Sequence, residues 1–154
     1  MPAKNKSRSF DRILFPTDFT DASRDAAAYA LMLAKQNKSR LYILHVVDTS
    51  REAAGFYLPH LSFEKLDKEM RTGAAELLKK FCTTYFRGYR NIEQHVLAGE
   101  PYKEILKVVK GTKINVIVMG TFGKARIDRF LFGSTTERVM RRATCPVLVI
   151  PPTN

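Results

Sequence analysis

A chain of 154 residues, 45% hydrophobic and 27% charged, has the length and balance of one globular domain with a substantial core. No apolar run nears the ~20 residues that a membrane helix needs, and no apolar segment follows the basic start MPAKNKSRSF; a cytoplasmic protein without a membrane partner is expected. The formal charge of +11 favours polyanions, but the cations are spread over tail, helices and loops without an RNP motif, zinc-finger spacing or helix-turn-helix, so solvated basic faces are expected rather than nucleic-acid binding.

Residues 1–10 read as a flexible basic tail ahead of a single domain over 11–152. Asp11–Thr17 (DRILFPT) is a first buried strand, closed by Pro16. Asp18–Asn37 is helical, with Thr20 or Asp21 as cap and Ala26, Tyr29, Ala30 and Leu33 recurring on one face. Arg40–Val47 (RLYILHVV) is almost continuously apolar, as suits a strand covered on both faces. Asp48–His60, with Gly55 and Pro59, is an irregular connection. Ser62–Phe86 is a long helix with Phe63, Leu66, Met70, Leu77 and Phe81 inward. Asn91–Ala98 alternates more weakly and suits a strand nearer an edge. Gly99-Glu100-Pro101 turns into a helix over Tyr102–Lys110, with Ile105, Leu106 and Val109 inward. Val116-Ile117-Val118 leads to Met119-Gly120 at the end of a fourth strand. A basic loop follows to Gly133-Ser134, then a helix over Thr135–Arg142 and a last strand, Pro146–Ile150.

This alternation predicts an α/β fold: an open five-stranded parallel sheet with helices on both faces. Such sheets bind ligands outside the carboxyl ends of their strands, where strand order reverses. That singles out Pro16-Thr17-Asp18, Val46-Val47-Asp48, Ala98-Gly99-Glu100 and the stretch from Met119 to Gly133. Cys82 and Cys145 lack CxxC spacing and read as small apolar residues in a reducing compartment. His45, His60 and His95 fall on different elements without ligand spacing, so no protein-held metal is expected.

The glycines run G-x-x-G, nine residues, then G-S at Gly120, Gly123 and Gly133-Ser134, which is neither GxGxxG nor GxxxxGK[ST]. Two readings stay open. In one, Ser134 and Glu137 form a complete capping box and Gly133 supplies a turn with positive φ, with no ligand involved. In the other, the glycines admit a phosphate to the backbone and the helix-start amides face it beside the hydroxyls of Ser134 and Thr135. Lys124, Arg126 and Arg129, against the single acid Asp128, then supply charge.

This glycine pattern, continuing into TERVMRRATCPVLVI, resembles the signature of the universal stress protein family, as do ILFPTDFTDAS and LHVVD near the N-terminus. The resemblance spans Asp11 to Pro151. It implies the adenine-nucleotide alpha-hydrolase-like fold with sheet order 3-2-1-4-5, and, because members with this motif resemble ATP binders, a site for ATP or another adenine nucleotide. Adenine would lie near Val46 and Asp18, beside Pro16 and Thr17. Ribose and phosphates would follow Met119, Gly120, Gly123, Lys124, Arg126, Gly133, Ser134 and Thr135, with Mg2+ held through the phosphates. Phe122 departs from the pattern, standing where many relatives have His. The resemblance further implies a homodimer through Pro146–Ile150, whose open edge would otherwise expose unpaired backbone groups.

Hydrolysis needs a positioned water, a metal and stabilised charge. Asp18 and Arg126 or Arg129 offer parts of this, but no residue reads as a water-positioning base, and none is assigned as catalytic. The expected function is an ATP-binding, stress-response regulatory protein, switching its dimer or an unknown protein partner, with slow hydrolysis at most. The alternatives are an ATP-independent interaction dimer and a polyanion binder.

Overall fold

The computed structural model describes residues 9–50, 63–121 and 133–153, and in the helix that starts at Phe63 it describes side chains from Asp67 onward. Five strands, β1 (Arg12–Pro16), β2 (Arg40–Asp48), β3 (Ile92–Gly99), β4 (Val116–Gly120) and β5 (Val147–Ile150), form one sheet in the order β3-β2-β1-β4-β5. All pairings are parallel. Helices α1 (Asp21–Asn37), α2 (Phe63–Tyr85), α3 (Pro101–Thr112) and α4 (Ser134–Arg142) connect them. The expected sheet order holds, and the weakly alternating β3 is an edge strand.

Strand side chains alternate between two apolar layers. Ile13, Phe15, Leu41, Ile43, Val116 and Val118 join α1 and α2 on one face. Leu14, Tyr42, Leu44, Ile117 and Met119 join Ile105, Val109 and Val139 of α3 and α4 on the other. This double burial explains the continuous apolar reading of β1, β2 and β4, each buried side chain contributing roughly 1.5–3 kcal/mol.

Two helical faces differ from expectation. Helix α1 buries a stripe of small residues, Ala22, Ser23, Ala26, Ala27, Ala30 and Ala34, so the helix lies close to the sheet. Tyr29, expected inward, is on its flank and 42% exposed. In α2 the inward face is Ala74, Leu78, Phe81 and Cys82, leaving Leu77 at 54% exposure. Phe81 is held by rings: Phe15 stacks on it at 6.0 Å and Tyr85 lies at 4.6 Å. Both cysteines are free, and burial pushes the Cys82 thiol up to about 11, so it stays protonated at neutral pH and acts as a core residue. The expected inward Phe63 and Leu66 side chains and the 51–62 connection lie outside the described residues.

Candidate functional site

Chain order makes β1 and β4 neighbours, although β2 and β3 lie on one side of β1 and β5 lies beyond β4. Their carboxyl ends are therefore the switch point, and each is followed by a helix: α1 after β1, α4 after β4.

At the first turn, Pro16 is the buried last residue of β1, opposite Leu44. The Thr17 N–H donates to the Leu44 carbonyl at 2.8 Å, and the Thr17 carbonyl accepts from Nδ1 of His45 at 2.8 Å. The buried Thr17 hydroxyl pairs with that of Ser23 and accepts from the Phe19 N–H at 3.0 Å. Phe19 has φ 64, an uncommon conformation for a bulky residue. Its ring is pinned 4.4 Å from His45 and 5.8 Å from Phe81, which holds the turn. Asp18 is half-buried; its Oδ1 accepts the Thr20 N–H at 3.1 Å and the Thr20 hydroxyl at 2.5 Å. Thr20 occupies the N-cap position, yet its hydroxyl is spent on Asp18, and no side chain caps α1.

At the second turn the expected capping box is absent. Gly133, not Ser134, is the N-cap of α4, with φ −58 and ψ 152, so the expected positive φ is absent too. Its N–H donates to the Thr121 carbonyl at 2.6 Å, which fixes the helix start one residue early. Ser134 thereby becomes the first helical residue, and Glu137 falls out of reach of the cap. The Glu137 carboxylate instead pairs with Arg141 at 2.9 Å. The first helical bond runs from Glu137 N–H to the Gly133 carbonyl at 3.0 Å, so the amides of Ser134, Thr135 and Thr136 lie ahead of it without a side-chain cap.

Gly120 joins the two turns. A Cβ there would sit 2.7 Å from the Ala22 carbonyl oxygen and 2.8 Å from its carbon. The end of β4 thus abuts the first turn of α1, and two uncapped helix N-termini, each with a partial positive charge of about half an electron, stand at the carboxyl ends of β1 and β4. Beside it, Thr136 donates its hydroxyl to the Gly120 carbonyl at 2.9 Å. Thr121 is 7% exposed, and its Oγ1 has no hydrogen-bond partner among the described residues. A buried hydroxyl left this way costs about 1–3 kcal/mol unless a ligand or water meets it.

The structure brings Pro16, Thr17, Asp18, Gly120, Gly133, Ser134 and Thr135 to this end of the sheet. Val46 is half-buried near the end of β2, packed against the α3–α4 layer. The Met119 side chain is 5% exposed within that layer, which leaves only its backbone for a ligand. Gly123, Lys124, Arg126 and the neighbouring Phe122, Asp128 and Arg129 lie outside the described residues. Sequence reasoning missed Thr121, Thr136 and Ala22. The available signal was local for the first two, hydroxyls flanking the glycines; nothing local marks Ala22.

Helix α4 is fixed to α3 by charge. Glu100, at the N-cap of α3, pairs with Lys103 at 2.6 Å and Arg138 at 3.2 Å, and its hydrogen bond is the main reason the Lys103 ammonium is pushed up. Arg138 and Arg142 lie over the Tyr102 ring at 5.1 and 5.3 Å.

Residues 9–151 match the family model described as the universal stress protein family. Universal stress protein MJ0531 of Methanocaldococcus jannaschii is 35% identical over 148 residues, 96% of this chain and 85% of that protein. Among solved structures, MJ0577 of the same organism superposes with a TM-score of 0.75 at 26% identity, covering 94% of this chain and 98% of that one. Two further structures share the fold at 20% identity. A universal stress protein in complex with cAMP gives a TM-score of 0.69, covering 94% of this chain and 99% of that one. One from Archaeoglobus fulgidus in complex with dAMP gives 0.63, covering 90% and 96%.

Proposed function

Because the chain belongs to the universal stress protein family, we propose that it is a regulatory protein that binds an adenine nucleotide, ATP in the first instance, in the crevice between β1 and β4. The observation that carries this reading is the buried, unpartnered Thr121 hydroxyl beside the uncapped N-terminus of α4. Phosphate oxygens satisfy both the hydroxyl and the amides of Ser134 and Thr135. The cAMP and dAMP complexes of other family members support the adenine class. Adenine is assigned to the Val46 and Asp18 side, and the phosphates to Gly120, Gly133, Ser134 and Thr135, with Gly123, Lys124 and Arg126 as further contacts. Mg2+ enters with the phosphates; the described residues hold no cluster of three His, Cys, Asp or Glu for a metal of their own. The site is read as binding, with slow hydrolysis at most. The two free thiols fit a cytoplasmic setting, and no helix among the described residues is long and apolar enough to cross a membrane.

The decisive measurement is mass spectrometry of small molecules released on denaturing the purified protein, followed by melting with added ATP. At ATP about 100-fold over Kd, stability rises by about 2.7 kcal/mol. That is a melting shift of roughly 5–10 °C for a chain of this size. A specific observation favours the competing reading of an ATP-independent interaction protein: the Ala22 contact alone requires a glycine at 120. That reading predicts no shift and no released nucleotide.

The proposal includes a homodimer through β5, whose binding state passes to a protein partner. Among the described residues β5 pairs only with β4, and Leu148 is 40% exposed on it. Antiparallel pairing of two such edges covers both. Leu148→Lys is expected to sediment as a monomer where the parent sediments as a dimer; an unchanged dimer would move the interface elsewhere.

A further inference from the structure

The cations that look scattered along the chain are gathered by the fold. Because each helix returns antiparallel to the strands, the last turns of α1 and α3 deliver Lys35, Lys38, Lys110 and Lys113 to the amino-terminal end of the sheet. Lys38 and Lys113 are the left-handed C-caps, at φ 53 and 54. The turn after α2 adds Arg87 and Arg90, and Arg12 and Arg40 stand in register at the starts of β1 and β2. All eight are exposed, and only two acids, Asp11 and Glu93, lie among them.

Ion pairing separates this end from the other. At the carboxyl end Arg24, Lys103 and Arg138 are paired with Asp21 and Glu100, and along α3 and α4 Lys107 and Arg141 are paired one turn back with Glu104 and Glu137. At the amino end the described residues form one cation–carboxylate contact of this kind, Arg40 with Glu93 at 2.6 Å. Arg12 is turned to the Thr112 carbonyl at 2.9 Å. Four helix C-termini bring about −0.5 charge each, far short of cancelling the surplus.

We propose that this amino-terminal pole binds the phosphate backbone of double-stranded nucleic acid, without sequence preference and independently of the nucleotide crevice at the opposite end. Cations alone suffice for such binding. Of the exposed large apolar residues described, Tyr29, Leu77 and Leu148 lie away from the pole and Met32 lies one turn before Lys35, while the rings of Phe10 and Tyr89 are half-buried against the α1–α2 core. With the Tyr89 hydroxyl tied to the Ala34 and Ser39 carbonyls, neither ring lies open for stacking a single strand, and a single methionine is a small anchor for a lipid interface.

The test is fluorescence anisotropy of a labelled DNA duplex of about 20 base pairs, of arbitrary sequence, with the full chain over a salt series. With about five phosphate contacts the affinity falls several hundred-fold between ~50 and ~200 mM salt, a log–log slope of about −4 to −5. A variant with Lys35→Gln, Lys38→Gln, Arg87→Gln and Arg90→Gln keeps its melting temperature, loses at least tenfold in affinity at ~50 mM salt, and flattens the slope towards about −1. Arg24→Gln with Lys103→Gln, at the opposite end, leaves binding unchanged. The proposal is overturned by no binding at ~50 mM salt or by an unaffected fourfold variant. Tighter binding to phosphatidylserine vesicles than to the duplex also overturns it, as does displacement of the duplex by Mg-ATP at constant ionic strength, which would place the duplex at the carboxyl end.

Discussion

Gly120→Ala is expected to lower the melting temperature by about 6–12 °C, and Gly73→Ala to raise it slightly. The added Cβ at 120 meets backbone, 2.7 Å from the Ala22 oxygen, so no side chain can swing aside to admit it. Either β4 or the first turn of α1 must move. That movement also strains the Thr136 hydroxyl bond to the Gly120 carbonyl. Overpacking of this kind costs about 3 kcal/mol, and one kcal/mol is worth roughly 2–4 °C at this size. Gly73 lies inside α2 with nothing within 4 Å of an added Cβ; there alanine gains up to about 1 kcal/mol of helix propensity. Calorimetry of both variants checks the pair, and a Gly120→Ala protein that melts with the parent would disprove the contact.

The same contact shows what was readable in the sequence and what was not. Strand identity, sheet class and the edge position of β3 follow from the density of apolar residues, because burial on two faces leaves no room for polar alternation. Helix orientation follows less well. In α1 every candidate inward position on the Ala-rich side competes with larger residues elsewhere, and close approach to the sheet selects alanine over Tyr29. In α2 the neighbours Leu77 and Leu78 are both apolar, and one residue of helical rotation decides which is buried. Periodicity cannot fix that rotation; tertiary contact does.

Capping failed for a related reason. Ser134 with Glu137 satisfies the local rule, but the Gly133 N–H bonds to the carbonyl of Thr121, just past the end of β4 and twelve positions away, and this shifts the helix by one residue. A single long-range bond thus converts a self-satisfied helix start into one whose amides are open. Glu137, whose carboxylate would repel an anion there, is carried off to Arg141. Charge behaves likewise. Lys38, Arg87 and Lys113 are far apart in sequence and share an end of the sheet only because helices run back against parallel strands.

Gly133→Asp is expected to weaken ATP binding by about 100- to 1000-fold while leaving the fold as stable as the parent or slightly more so. The backbone at Gly133, φ −58 and ψ 152, is open to any residue, so the substitution brings no backbone strain. Aspartate is a preferred N-cap, and its carboxylate accepts from the second or third helical amide, Thr135 or Thr136, worth about 1 kcal/mol to the helix. The amides that stabilise the helix are then the ones withdrawn from phosphate. Losing one or two charge-assisted bonds costs about 1.5–3 kcal/mol each, and every 1.4 kcal/mol is tenfold in affinity. Gly133→Asn, which caps without charge, should lose less than the aspartate because it adds no repulsion. Opposite signs in melting temperature and affinity separate a displaced ligand from a damaged fold, and titration calorimetry beside thermal melting reads both. If Gly133→Asp binds ATP as the parent does, the phosphates do not lie at the start of α4, and the nucleotide must be sought elsewhere along the carboxyl edge of the sheet.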